Sequence, residues 1–511
     1  MGPDYRDLRS LSALATAAAA PVRRQRAPHI APAGTGCQVD GSAVRPAAGA
    51  GAPGPRYLPS SGLRLVRQAL PWLLGSLLSL VAAAAPADPT PYGLDARVIP
   101  RAFLRMPRQV SGELPKLLSE TGVFTDLRSL TPSAGVLPYD IAVAFWSDGA
   151  NKSRLVAIPK GTVQFSPTGE WRFPAGTVFV KTFELPTDEA APQVRRRLET
   201  RLLVRDSDGG VYGVDYKWRA DNSDAELLTD SVTEAIPIRM KSGEVRQQTW
   251  YYPSRKDCLT CHTTLAGGVL GVKTRQMNRS LTFPSGVTDN ELRAWNHAGL
   301  FSPAIRESDI STFATLAPAG DPNRSLEDRA RSYLDANCSQ CHRPGGTVAY
   351  FDARFDTPLE KQGLINGPVL IDEGIDHPRV ISPHDIWRSI AFMRISTNDD
   401  VRMPPLARET IDRNGVALMR EWIESLPGRD VLAPPDISPA GGTFARSVEV
   451  SLRAAQEGVE IRYTLDGSEP GTSDTLYTRP IKLSADSVLR ARAYGNGFTH
   501  SITAQQLFVV K

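Results

Sequence analysis

Two copies of one five-residue pattern, Cys258-Leu-Thr-Cys261-His262 and Cys338-Ser-Gln-Cys341-His342, constrain this chain more than any other feature. Both read C-x-x-C-H. With five Cys and seven His in 511 residues, chance supplies roughly 0.0007 such copies. Two thiols two residues apart, followed by an imidazole, form the attachment sequence for c-type haem. The thiols make thioethers with the vinyl groups, and the imidazole lies under the iron as proximal ligand. The expected cofactors are two covalently bound haem c, attached through Cys258, Cys261, Cys338 and Cys341, with His262 and His342 on the metal. A four-cysteine zinc site explains the pattern less well, because 76 residues separate Cys261 from Cys338. A thioredoxin-like redox pair needs no His after its second Cys, and structural disulfides need none either.

Attachment of this kind occurs outside the bacterial cytoplasm, and the N-terminus agrees. Residues 1–62 are rich in Ala, Pro, Gly, Arg and Ser without period, as in a disordered or mis-assigned extension. Residues 63–87 carry Arg64 and Arg67, an apolar run from Leu70 to Val81, and Ala85-Pro86-Ala87. Those are the parts of a signal peptide. Translation is expected to start near residue 63, with cleavage near Ala85–Ala87 and export to the periplasm or beyond. Leu70 to Ala85 falls short of the roughly 20 residues needed to span a bilayer; an uncleaved anchor behind a disordered extension is the alternative. No later segment is long and apolar enough for a transmembrane helix. Charge follows the same division. The whole chain is +4, but residues 1–87 hold nine Arg and three Asp, so the remainder is −2. The haem propionates make it more acidic, which removes the case for a nucleic-acid partner.

The mature chain changes character along its length. From 88 to 250, short alternating runs such as Thr177–Phe183 and Leu198–Val204 lie between turn residues, predicting an antiparallel sandwich or barrel. Arg195-Arg196-Arg197 is expected to be a solvated strand end. The first haem segment spans 251–310. In 325–427, Ser325 and Asp328 have capping-box spacing, and Leu326, Ala330, Tyr333 and Leu334 line one helical face. Val416, Met419, Trp422, Ile423 and Leu426 do the same near the other end. With Asn337–Gly346 and Arg402-Met-Pro-Pro-Leu406, this segment resembles a class I cytochrome c domain. That implies an all-α domain whose first and last helices cross. Met403, 61 residues after His342, is the distal-ligand candidate, presented by Pro404-Pro405. Met393, in an expected helix from Ile386 to Ile395, is the runner-up; His377 and His384 are the bis-His alternatives. Arg354, Arg388 and Arg394 are candidates to neutralise propionates.

For the first haem the distal position stays open among Met277, 15 residues after His262, His297, a residue of the β region such as Met240, and water. Lys181, Asp148 and Trp146 are candidates to line its pocket or to serve the β structure. Leu118–Phe124, Trp146–Ala150, Trp171–Val178 and Tyr252–His262 resemble segments of an exported dihaem c-type cytochrome family whose reaction is unassigned. That resemblance covers about 115–427 and implies the cofactors and domain order. After a Pro/Gly-rich linker, 428–439, alternating runs return at Ser447–Leu452, Glu460–Thr464, Ser487–Tyr494 and Gln505–Val510. Tyr463-Thr-Leu-Asp-Gly-Ser-Glu-Pro470 places Asp-Gly in a turn. This part, 440–511, resembles the chitobiase/β-hexosaminidase C-terminal Ig-like sandwich and implies a spacer or docking module. The function expected from these features is electron transfer between a periplasmic donor and acceptor. An oxidoreductase with an open first haem, relayed through the second, is the alternative.

Overall fold

The computed structural model describes residues 91–96 and 104–511. The segments expected to be an extension and a signal peptide, with Cys37, lie outside the described residues.

Strands of the N-terminal region form one six-stranded antiparallel meander: β1 (Val136–Pro138), β2 (Asn151–Ala157), β3 (Val178–Pro186), β4 (Arg195–Arg205), β5 (Val211–Trp218) and β6 (Ala225–Leu227). Their order in the sheet is their order in the chain, as short turns dictate. Because side chains alternate across a strand, each face has its own core. Val178, Val180, Leu202, Val204, Tyr212 and Val214 pack on one face with Leu118 and Val123. On the other, Val156, Phe179 and Val211 meet Trp171, Met277 and Trp295. A separate hairpin, β7 (Val232–Arg239) and β8 (Val245–Tyr252), packs Ile236, Ile238, Trp250 and Tyr252 on Phe183, Leu185 and Leu198. The region is thus a meander with a hairpin on it, where the alternation predicted a sandwich or barrel.

Helix α1 (Arg255–Cys261) follows the hairpin directly. Its start is capped reciprocally: Ser254 Oγ accepts from the Asp257 amide, and the Asp257 carboxylate accepts from the Ser254 amide at 2.8 Å. Two short helices, α2 (Thr274–Met277) and α3 (Glu291–His297), then pack on the sheet core.

The segment 325–427 departs from expectation. Helix α4 (Leu326–Cys338, 13 residues), α5 (Ile390–Ser396, 7 residues) and α6 (Arg413–Ser425, 13 residues) are present. The long stretch between α4 and α5 has only a three-residue 3-10 turn and isolated β-bridges, such as Ile365 with Ile381. No all-α cytochrome c domain is evident, and the fold is β-rich with few helices. The two amphipathic ends were legible as helices. The intervening chain, punctuated by Pro and Gly, is instead held by backbone bonds such as Asn366 N–H to Ile381 O at 2.8 Å. α4 and α6 do pack together, with the Tyr333 ring so close to Gly415 that a Cβ there would lie 2.4 Å from it. α5 starts four residues later than its pattern suggested.

The C-terminal module is a β-sandwich. One sheet is β9 (Asp436–Ser438), β11 (Val448–Arg453) and β14 (Ile481–Leu483). The other orders β10 (Gly442–Phe444), β16 (Ala504–Val510), β15 (Ser487–Tyr494), β12 (Glu460–Thr464) and β13 (Thr475–Leu476). Val450, Ile461, Leu489, Ala491 and Phe508 fill the space between. Arg388, buried, ties this module to the preceding segment through Asp376 and Asp385 at 2.9 Å and the carbonyls of His500 and Ser501. Among the described residues no helix is long and apolar enough to cross a membrane.

Candidate functional site

The first C-x-x-C-H pattern is carried by α1, laid on the sheet at β5. The seat is Gly213: a Cβ there would lie 2.6 Å from Cys258 Sγ, so only glycine admits the helix at this depth. His262 caps α1, its amide donating to Cys258 O at 3.0 Å. Its ring Nδ1 lies 2.8 Å from the Gly268 carbonyl. A carbonyl only accepts, so Nδ1 carries the proton and Nε2 keeps a free lone pair, the arrangement that orients an imidazole for a metal. Burial pushes the ring pKa down to about 4, which keeps it neutral.

Cys258, Cys261 and His262 open onto a cavity of about 1440 Å³, its solvent-open mouth included. Its apolar walls include Tyr139, Ile141, Val143, Phe179, Phe183 and Leu270. Its floor is the sheet face carrying Lys152 and Arg154 on β2, Lys181 on β3 and Arg201 on β4. Strand register aligns three of these cations: Arg154 faces Lys181, and Lys181 faces Arg201. Directly opposed like charges destabilise a sheet unless compensated. Arg154 pairs with Asp140 and Arg201 with Glu199, both at 2.5 Å. Lys152 Nζ reaches only the Phe145 carbonyl, at 2.6 Å, and Lys181 has no ion-pair or hydrogen-bond partner among the described residues. Burial, with Arg154 and Arg201 beside it, pushes Lys181 down to about 7. Beyond Arg201, Glu199 and Asp215 are buried, and desolvation together with Glu199 raises the Asp215 carboxyl far above its usual range.

The second pattern begins at the last residue of α4. His342 stacks on Phe351, ring centroids 4.2 Å apart at 16°. Its Nδ1 is buried without a hydrogen-bond partner, and burial pushes this ring down to about 4 as well. Met403 is half-buried; its amide donates to Arg394 O at 2.9 Å, and its carbonyl accepts from Arg408 at 2.8 Å. Arg394 is paired with Glu373 at 2.5 Å and lies close enough to lower the His342 pKa.

The two patterns meet. The Cys261 and Cys341 thiols lie close enough to shift one another, Cys341 raising the pKa of Cys261 and Cys261 lowering that of Cys341 to about 7. Arg343 bridges to Glu170 at 2.9 Å and to Leu265 O at 3.2 Å. Asp335, buried on α4, binds Lys273 at 3.0 Å and Arg275 at 2.7 Å. Burial alone would raise this carboxyl; the two cations hold it down to about 2. None of the four described cysteines is in a disulfide. No group of three His, Cys, Asp or Glu stands in metal-holding geometry among the described residues.

The remaining candidates fall in varied places. Met277 is fully buried in the apolar cluster under the sheet, while its neighbour Gln276 lines the cavity. His297 is exposed and stacks on Tyr92 at 3.6 Å. Met240 closes the β7–β8 turn, its amide bonded to Glu244 O at 2.8 Å. Met393 lies within α5. His377 is exposed, and His384 is bonded to Asp430 at 2.8 Å. Arg354 is held by Asp352 at 2.6 Å. Lys181 does line the cavity. Asp148 and Trp146 instead dock the Met403 loop: Asp148 accepts from the Glu409 and Thr410 amides at 2.8 and 2.7 Å, and Trp146 Nε1 donates to Thr410 O at 2.9 Å. Of the arginine run, Arg195 is exposed, Arg196 pairs with Glu234 at 2.5 Å, and Arg197 lies 4.6 Å over Trp218. Sequence reasoning did not single out Gly213, Gly268, Lys152, Arg154, Arg201 or Phe351. Charged residues alternating along the strands, in Lys152-Ser-Arg154 and Glu199-Thr-Arg201, are the available signal.

Residues 439–505 match the family model of the chitobiase/beta-hexosaminidase C-terminal domain. No curated protein matches the chain.

Proposed function

We propose that the chain is an exported dihaem c-type cytochrome, akin to the dihaem family its segments resemble, passing electrons between a periplasmic donor and acceptor. The observation that carries this reading is His262. Its Nδ1 proton is committed to Gly268 O, so Nε2 is presented to a cavity that two thiols of the same motif also line. The residues present fit covalent haem: Gly213 leaves room for Cys258, apolar side chains wall the cavity, and cations floor it. Cys258, Cys261 and His262 would hold one haem; Cys338, Cys341 and His342 would hold the other, with Met403 as distal ligand. Bound haem supplies a one-electron iron couple, and thioether ligation raises its potential. The protein's part is to keep both imidazoles neutral, to exclude water with the apolar walls, and to bring the two attachment points close together.

A second reading, an oxidoreductase with an open first haem, draws on the placement of Met277 in the apolar core and on the ionisable groups lining the cavity. Mass and haem content of the exported protein test the first proposal: two covalent haems are expected, and none would sink it. EPR then separates the readings. Two low-spin centres indifferent to CO favour electron transfer, whereas one high-spin centre that binds CO favours catalysis. Met403→Ala should remove the methionine–iron charge-transfer band from one haem only.

A further inference from the structure

The cavity floor has a charge imbalance that its own residues do not correct. Arg154 and Arg201 each have a carboxylate. Lys273 and Arg343, higher on the wall, share Glu170, and Lys273 also has Asp335. Two ammonium groups are left, Lys152 and Lys181, on adjacent strands and close enough that Lys181 lowers the pKa of Lys152. Lys152 has one carbonyl and Lys181 lies 5.9 Å over the Phe183 ring. Desolvating an uncompensated ammonium costs several kcal/mol, and two side by side cost more. A fold keeps such a pair when a ligand brings the missing charge.

We propose that Lys152 and Lys181, backed by Arg154 and Arg201, form a binding site for two negative charges. The carboxylates of the haem attached at Cys258 and Cys261 are one source; a free dianionic oxyanion is the other. The carboxylate arm rests on the dihaem reading, while the lysine pair itself does not. The depressed Lys181, near 7, is what an ammonium shows before its counter-charge arrives.

The test uses the full-length holoprotein and the variants Lys152→Met and Lys181→Met, with Lys181→Arg as the charge-keeping control. Each Met variant removes a half-buried ammonium that has no carboxylate partner, so both are expected to melt no lower than the parent. Redox titration of each haem and a sulfate titration followed in the Soret band are the readouts. If haem carboxylates are the anion, each Met variant lowers the potential of one haem only, Lys181→Arg restores it, and sulfate changes nothing. If a free oxyanion is bound, sulfate shifts the parent's spectrum saturably, and Lys181→Met weakens that response at least tenfold. Unchanged potentials in both Met variants, together with no sulfate response, overturn the proposal. Haem content on the same samples exposes failure of the underlying reading. In protein without covalent haem, a sulfate-dependent rise in melting temperature lost in Lys181→Met supports the lysine site, and its absence overturns it.

Discussion

The same five-residue pattern occurs twice, in two different settings. The first copy lies on a sheet: its helix is seated in the hole left by Gly213, and its imidazole is oriented by a carbonyl. The second ends a helix in a loop-rich segment: its imidazole is stacked on Phe351, and its Nδ1 has no hydrogen-bond partner. A hydrogen bond fixes both the tautomer and the direction of a ring, whereas stacking fixes only the plane. The first imidazole is therefore the more rigid of the two, and the cavity beside it is the better defined.

The largest expected effect joins the two settings. Asp335→Asn removes the buried carboxylate that binds both Lys273 and Arg275, leaving Arg275 with Asp356 and Lys273 with the more distant Glu170, and breaking this buried cluster should cost about 3–5 kcal/mol. Urea unfolding would measure it; a loss confined to the second motif's haem would break the view that this ion cluster joins both. The same carboxylate sets an acid limit. Its folded pKa, near 2, is below the unfolded value of 3.8. Its stabilisation is therefore complete above about pH 4 and is lost as pH falls through 2. The Asn variant should show a flatter melting profile across that window.

Next comes Gly213→Val. Its Cβ would meet Cys258 at 2.6 Å, and overpacking of this kind costs about 1–3 kcal/mol. If the motifs carry haem as proposed, peptide mapping should show the first motif losing it while the second keeps it. The smallest effect is Phe351→Leu, about 0.5–1.5 kcal/mol for the lost stacking on His342. It should broaden the spectrum of the second haem only. Equal responses of both haems to Gly213→Val and Phe351→Leu would erase the distinction drawn between the two motifs.

How much of this was legible depends on range. The cysteine pattern, α4, α6 and four strands of the C-terminal module follow from local spacing, and the structure returns them within a residue or two. The cationic floor does not. Lys152 and Arg154 alternate with Ser153, which in a lone strand looks like a solvent face. Only the pairing of β2 with β3, and of β3 with β4, stacks these cations, and only residues distant in sequence, from α1, α4 and the loop at Leu406, close the cavity over them. The middle of 325–427 was misjudged for a related reason. Helical periodicity at Leu326–Leu334 and Val416–Leu426 carries no information about the chain between, where backbone bonds and bridges replace helix. Met277 shows the limit of motif arithmetic: spacing from His262 is blind to which face of a four-residue helix meets the core.

Asp148 carries one consequence further. Its carboxylate grips the backbone at Glu409 and Thr410, and Trp146 takes the Thr410 carbonyl. The loop bearing Met403 is thus moored from outside its own segment, by residues some 260 positions earlier. The second motif is not a portable cassette. A fragment cut at 325–427 would keep every residue of its motif and its methionine, yet lose the mooring that holds them in register, so the two halves of this chain can be inherited or engineered only together.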